Sequence, residues 1–171
     1  MIRINNIVLL YTLSKKINFD IVLEKFPNIS YHRKRFSGAI LKFSKATLLI
    51  FNSEKLIVTG ITSLPNAQKT IKSFIEKVAE KDLSITSKKV LNMTCSGKLP
   101  FKFNIIQFIS ENKNASWEPE IFPAMYLQLD NHIKVIYFPS SQKFIITGAK
   151  KHIDLRNAYT VFSKRTIKHK T

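Results

Sequence analysis

Runs of alternating apolar and polar residues occur in two groups along the chain, and each group ends in a longer run with helical spacing. In the run 55–61, Leu56 and Val58 fall on one face of a strand, and Ile57 and Thr59 fall on the other. A short helical stretch follows the first strand of each group. The pattern predicts, in order, strand 4–12, helix 18–26, strands 36–43, 46–51 and 55–61, helix 63–82, strand 89–96, helix 101–109, strands 124–129, 133–138 and 143–149, and helix 151–165.

The helix that closes each group carries apolar residues three or four positions apart. Pro65 stands near the start of the first of these helices, where proline is tolerated. The predicted apolar positions are Ile71, Phe74, Ile75 and Val78 in the first helix and Ile153, Leu155, Ala158, Val161 and Phe162 in the second.

The two groups are copies of one unit. Thr59-Gly60 recurs as Thr147-Gly148, an offset of 88 residues, and Asn6 recurs as Asn92, an offset of 86. Small changes in loop length between the two copies explain the difference of two residues between these offsets. An internal repeat of about 85 residues is too short for comfortable independence, so we expect two copies fused into one pseudo-twofold domain. The predicted copies are residues 1–88 and 89–171.

The predicted strands are apolar on both faces, although one helix per copy covers only one face. The second apolar face carries Leu49, Phe51, Ile57, Ile136, Phe138 and Ile145. A further layer of the same domain is the usual explanation for such a face. Both helices of each copy are already assigned, however, and the chain has no third layer to supply. An open apolar face indicates a partner that buries it.

Charge narrows the class of partner. The chain holds 28 Lys and Arg against 11 Asp and Glu, a formal net charge of +17. This excess predicts a polyanion, either nucleic acid or an anionic membrane, because surface solubility needs a much smaller charge. Cys95 is the only cysteine, which excludes an intrachain disulfide and a cysteine metal cluster.

No arrangement of residues in the sequence indicates catalysis. The four histidines have no metal-ligand spacing, and four glycines form no phosphate-binding loop, so we predict no enzyme activity and no cofactor. The opening apolar run is interrupted by Tyr11, Thr12 and Ser14, which favours a strand over a signal peptide. We therefore expect an intracellular, reduced protein.

Several stretches resemble the two repeats of the TATA-box-binding protein family. "YHRKRFSGAILKF…ATLLIFNSEKLIVTG" is similar to the first repeat, and "WEPEIFPAMYLQL…KVIYFPSSQKFIITGAK" to the second. "INNIV" and "VLNMTCSGKLPFKF" match the first strand of each half. The resemblance covers essentially the whole chain. It implies an α+β saddle of two pseudo-symmetric repeats, with one curved antiparallel sheet and helices on the convex face.

The function implied by this resemblance is that of a transcription initiation factor. Such a factor binds and bends AT-rich, TATA-like promoter DNA through the minor groove, and recruits a transcription factor IIB-like partner and RNA polymerase. A IIA-like factor and other regulators are further candidate partners. The alternatives are a divergent paralogue acting as a protein adaptor with weak DNA binding, and a substrate-binding domain of a nucleic-acid enzyme. The implied location is the nucleus, a viral transcription compartment or archaeal cytoplasm.

The resemblance assigns DNA-contacting roles to three sets of residues. The hydrogen-bond donors are Asn6, Asn92, Thr59 and Thr147; the groove-floor contacts are Val8, Leu49, Ile57, Thr94, Ile136 and Ile145; the wedges are Phe36, Phe51, Phe122 and Phe138. Thr94 stands where the family usually has Val. Counting back from Thr147 without a gap puts Pro139 at the fourth wedge position, and a one-residue bulge in the following turn restores Phe138.

Phosphate contacts and a protein-docking site complete the implied assignments. The phosphate-contacting residues are Arg33, Lys34, Arg35, Lys42, Lys55, Lys143, Lys150, Ser53 and Ser141. Gln128 stands where the family has Arg, which removes one such contact. Glu118 and Glu120 match an acidic turn that docks transcription factor IIB, although acids at the start of a helix are the simpler explanation. The basic terminal helix is a further site for upstream DNA, acidic regulators or RNA.

Overall fold

The computed structural model describes residues 2–32, 34, 37–130 and 132–171. Its elements, in chain order, are β1 (Arg3–Leu13), α1 (Phe19–Lys25), β2 (Gly38–Phe43), β3 (Ala46–Phe51), β4 (Lys55–Ile61), α2 (Leu64–Val78), β5 (Ile85–Lys98), α3 (Ile105–Glu111), β6 (Ala115–Ser116), β7 (Met125–Gln128), β8 (Lys134–Phe138), β9 (Lys143–Ala149) and α4 (His152–Ile167).

The chain divides into two compact units. The first unit is Asn6–Leu91, and the second unit is Met1–Asn5 together with Asn92–Thr171. The strands of the first unit follow the order β2-β3-β4-β1, and those of the second unit follow β5-β9-β8-β7-β6. Within each unit, neighbouring strands in this order pair antiparallel.

The core of the first unit lies between one face of its strands and α2. Helix α2 begins after Ser63, whose side chain accepts the Asn66 N–H at 3.4 Å, and it ends at Ala79 in the left-handed conformation with φ 53°. Its buried residues include Phe74, which stacks on Phe26 at a centroid distance of 5.4 Å. The alternating side chains of β3 and β4 that face the core are Leu48, Ile50, Leu56 and Val58.

The core of the second unit is built the same way around α4. The Asp154 carboxylate accepts the Lys151 N–H at 3.1 Å and closes the first turn of this helix. Phe162 is fully buried and its ring contacts Phe144 and Tyr137 on the sheet. The helix faces the sheet through Leu155, Ala158, Phe162 and Thr166.

Two predictions about the helices are wrong. Ile153 and Val161 are 53% and 39% exposed, because the buried stripe of α4 runs through Leu155, Ala158 and Phe162 instead. The helix predicted over 101–109 is Ile105–Glu111, because Asn104 caps it by accepting the Gln107 N–H at 3.1 Å.

No helix in the described ranges is long and apolar enough to cross a membrane.

Candidate nucleic-acid interface

Each unit has a second apolar sheet face that its own helices do not bury. In the first unit, Leu49 lies opposite Ile57 across the β3–β4 pair, and both are only half-buried. In the second unit, Ile136 lies opposite Ile145 across the β8–β9 pair, and both are again half-buried. These four residues are floor positions implied by the family resemblance. The structure therefore favours an open face over an additional internal layer.

A polar cluster interrupts this face in the first unit. The register between β1 and β4 shifts by one residue between Ile7 and Leu9, and Gly60 has a φ of 79° at this bulge. The Gly60 N–H donates to Asn6 Oδ1 at 2.8 Å. Because only the oxygen of the amide can accept a hydrogen bond, this contact fixes Asn6 Nδ2 as the donor, 3.2 Å from Thr59 Oγ1.

The second unit repeats the cluster with one more member. The Gly148 N–H donates to Asn92 Oδ1 at 2.8 Å, and Asn92 Nδ2 donates to Thr147 Oγ1 at 3.1 Å. Thr94 Oγ1 lies 3.1 Å from Thr147 Oγ1. Each cluster thus presents an amide with two N–H donors beside a hydroxyl group, on the same face as the half-buried floor residues.

Two of the aromatic residues proposed as wedges, Phe51 and Phe138, lie at the ends of strands. Phe51 ends β3, and Phe138 ends β8, where it pairs with Lys143. Residues 52–54 connect β3 to β4, whereas residues 139–142 connect β8 to β9, so the extra residue of the second copy lies in the turn. Phe138 therefore corresponds to Phe51 in register. Its ring meets the ring of Phe122 edge to face, with a distance of 6.2 Å between the ring centroids.

A matching depression lies beside each of these strand ends. The depression of the first unit has a volume of about 670 Å³ and that of the second about 710 Å³. Five equivalent pairs line them: Leu10 and Ser96, Phe51 and Phe138, Ser53 and Ser141, Lys55 and Lys143, and Ile57 and Ile145.

Of the proposed phosphate contacts, Lys55 and Lys143 line the two depressions, whereas Lys150 lines a depression beside α4. Lys34, Lys42, Lys55, Lys143 and Lys150 are exposed. Arg33, Arg35 and Phe36 lie outside the described residues.

The two turn serines make the same local contact. Ser53 Oγ accepts the Lys55 N–H at 3.2 Å, and Ser141 Oγ accepts the Lys143 N–H at 3.4 Å. Neither hydroxyl donates to another described residue, so each can donate to a phosphate.

Gln128 does not extend toward this surface. Its Nε2 donates to the carbonyl oxygens of Asp130 and, at 3.2 Å, of Ile133, so its side chain closes the β7–β8 turn. The Asp130 carboxylate accepts the N–H groups of His132 and Ile133 at 2.8 and 2.7 Å, and these bonds hold its pKa below the usual value.

Glu118 and Glu120 lie in an exposed turn that leads to strand β7. The Glu118 carbonyl accepts the N–H groups of Ile121 and Phe122, at 3.0 and 2.9 Å. Because a strand follows, the helix-start explanation of this acid pair is wrong. Ile121 is 79% exposed beside the two acids.

Four residues of the open face were missed by sequence reasoning. Ile40 lies opposite Leu49 on β2, and Tyr126 lies opposite Ile136 on β7. Leu10 and Ser96 lie opposite Ile57 and Ile145. Two signals could have identified them. Leu10 and Ser96 come two residues after Val8 and Thr94 and so share their face, and Ile40 and Tyr126 lie on the next strand of each sheet.

Comparisons with known proteins agree with this arrangement. The sequence model of the family "Transcription factor TFIID (or TATA-binding protein, TBP)" matches residues 1–81 and again 87–167, which confirms the internal repeat. The TATA-box-binding protein of Pyrococcus abyssi is 33% identical over 90% of this chain and 83% of its own length. That of Methanothermobacter thermautotrophicus is 32% identical over 91% and 88%.

A solved structure extends the agreement to the fold. Methanococcus jannaschii TBP superposes with a TM-score of 0.86 at 27% identity and covers 98% of both chains. This match confirms the predicted α+β fold class, and the sequence matches confirm the resemblance stated above. The chain belongs to the TATA-box-binding protein family of transcription factors.

Proposed function

We propose that this protein is a transcription initiation factor that binds AT-rich promoter DNA through the minor groove. The observation that carries the proposal is the pair of Asn–Thr clusters, each set on an open apolar face. In the minor groove, A·T pairs offer only acceptors, adenine N3 and thymine O2. The fixed Nδ2 groups of Asn6 and Asn92 supply donors for these atoms. The apolar surroundings suit a groove floor that lacks further donors.

Bending of the DNA is the second part of the proposal. Phe51 and Phe138 end equivalent strands at the margin of the face, and Phe122 lies against Phe138. Apolar side chains inserted between base steps unstack them and kink the duplex. The wedge role of Phe36 and the phosphate roles of Arg33 and Arg35 stay predictions from the sequence.

Recruitment of a transcription factor IIB-like protein, and through it RNA polymerase, is the third part. The turn with Glu118 and Glu120 is exposed and acidic in a strongly basic chain, and Ile121 gives it an apolar centre. This combination suits a protein partner better than DNA, because the acids repel phosphates.

The boundary between copies at residue 88 and the cellular location also stay predictions.

The test measures binding and bending of an AT-rich duplex whose ends carry a donor and an acceptor dye. We expect Phe51→Ala/Phe138→Ala to lose about 100-fold in affinity, or about 1.4 kcal/mol for each wedge, and most of the change in end-to-end distance, because no side chain then unstacks these base steps. Ile153→Ala, on the exposed side of α4, is the matched control. Equal affinity of the wild type for GC-rich and AT-rich duplexes without bending would refute the proposal and favour the adaptor role.

A second pair of variants separates recognition from recruitment. Asn6→Asp/Asn92→Asp keeps an acceptor for the glycine N–H groups but loses the donors, so we expect DNA binding to be lost while the fold persists. Glu118→Arg/Glu120→Arg should retain DNA binding and lose capture of a IIB-like factor. Loss of DNA binding in the Glu variant would refute the docking role.

A further inference from the structure

Hydroxyl groups distinguish the floor of the second unit from that of the first. Three equivalent positions are apolar in the first unit and carry a hydroxyl in the second. The strand registers define the equivalence: two of the pairs lie opposite matching floor positions, and the members of the remaining pair, Val8 and Thr94, lie at the matching register shifts of β1 and β5. The pairs are Val8 with Thr94, Leu10 with Ser96, and Ile40 with Tyr126.

The hydroxyl oxygens of the second unit have capacity to accept a hydrogen bond from outside the chain. Ser96 is half-buried in the depression, and its hydroxyl bonds to no residue that the structure describes. The Tyr126 side chain is exposed, with the residue 41% accessible, and its ring stacks on Phe122 at 5.3 Å. Thr94 Oγ1 accepts from Asn92 Nδ2 at 3.5 Å and lies 3.1 Å from Thr147 Oγ1; when it donates to Thr147, it keeps one lone pair for a further donor.

The minor groove offers one group that such oxygens can recognise. A G·C pair differs there from an A·T pair by the guanine N2 amino group, which is a donor. Against an apolar floor this donor loses its water and gains no partner, which is unfavourable. Beside a hydroxyl oxygen the same donor is satisfied.

We propose that the second unit accepts a G·C pair in its half of the DNA site, whereas the first unit requires A·T pairs throughout. This inference rests on the proposed minor-groove function. It assigns Thr94, Ser96 and Tyr126 as specificity-determining residues. It also gives the binding a direction: on a site with one G·C pair toward one end, the second unit takes that end.

The test reads the orientation of the bound protein. Ser140, exposed in the β8–β9 turn, is replaced by cysteine and carries a DNA-cleaving iron chelate. Cys95 stays unlabelled, because burial raises its pKa to about 11. The first duplex has a symmetric, all-A·T site, the second has one G·C pair near one end, and the third has inosine·C in that place, which lacks the N2 amino group.

We expect equal cleavage at both ends of the A·T and inosine duplexes, and about tenfold stronger cleavage at the G·C end of the second. Thr94→Val/Ser96→Ala/Tyr126→Phe should reduce the ratio of G·C to A·T affinity by about tenfold and abolish the orientation. Val8→Thr/Leu10→Ser should abolish the orientation as well, by making both units tolerant. Thermal melting of every variant checks that it is folded.

Two results overturn the inference. One is equal cleavage at both ends of the G·C duplex by the wild type, and the other is an unchanged orientation in the triple variant. Both leave the proposed function intact if the A·T duplex binds. If the A·T duplex does not bind, both the proposed function and this inference are refuted.

Discussion

The bulge that fixes the recognition asparagine is the same in both units, but its surroundings differ. In the first unit, residues 44–45 connect β2 to β3, and a Cβ built on Gly60 would have its nearest contact at 3.7 Å. In the second unit, His132 and Ile133 lie against the bulge, and the same Cβ on Gly148 would collide with the His132 carbonyl group. The Asn6 cluster therefore has free space next to its glycine, whereas the glycine of the Asn92 cluster packs against backbone atoms of His132 and Ile133.

This difference bears on how the two halves of a duplicated site evolve apart. The strand registers around Asn6 and Asn92 are preserved, so both amides keep the same orientation. The turn lengths next to them are not preserved. The Asn92 cluster has the additional Thr94 contact and less freedom to move, and we expect it to tolerate substitution less well.

The largest effect that tests this comparison is expected at the two glycines. Gly148→Ala combines a backbone φ of 94° with a collision against backbone atoms, and we expect it to cost about 4 kcal/mol or more. Gly60→Ala has only the left-handed strain, about 1–2 kcal/mol. Denaturant titration of both variants measures the difference. Equal losses would show that His132 and Ile133 do not brace the bulge.

A smaller effect is expected at Lys42 and Gln128, the equivalent positions of β2 and β7. Lys42 is exposed beside the open face, whereas Gln128 is engaged in the β7–β8 turn. Lys42→Gln should lower the slope of log affinity against log salt by about one, because one phosphate contact is lost.

Gln128→Ala is the matched variant. It should leave that slope unchanged and reduce stability by about 1 kcal/mol, since its hydrogen bonds to the turn are removed. A reduced slope in Gln128→Ala would indicate that the glutamine contacts DNA after all.

The strands were predicted from the sequence more accurately than the helix bounds and the helix faces. The predicted strands 46–51, 55–61 and 143–149 coincide with β3, β4 and β9, because their alternation is uninterrupted and turn residues bound them. The start of α3 was missed because apolar residues at 101 and 103 precede the Asn104 cap. Ile153 and Val161 lie at helical spacing yet face solvent, since which side of α4 meets the sheet is a tertiary property.

The polar contacts behind the site depend on conformations that residue types do not specify. Asn6 and Thr59 were identified by family resemblance, but the bulge that brings the Gly60 N–H to the amide is visible only in the strand register. Likewise the engagement of Gln128 follows from the course of the turn after it. Equivalent residues on neighbouring strands, such as Ile40 and Tyr126, needed the pairing before they could be placed.

The smallest expected effect is a pH dependence that belongs to the second unit alone. Two backbone N–H bonds depress the pKa of Asp130 in the folded state below its unfolded value of about 3.9. Asp130 therefore stabilises the fold above that pH, and the contribution is lost as the pH falls through the folded pKa. Asp130→Asn should melt slightly lower than the wild type at pH 7, and the two should converge as the pH falls below the folded pKa of Asp130. Lys45→Gln, in the shorter turn of the first unit, should show no such convergence. A melting difference for Asp130→Asn that stays constant as the pH falls through the acid range would mean that the charge of Asp130 does not stabilise the turn.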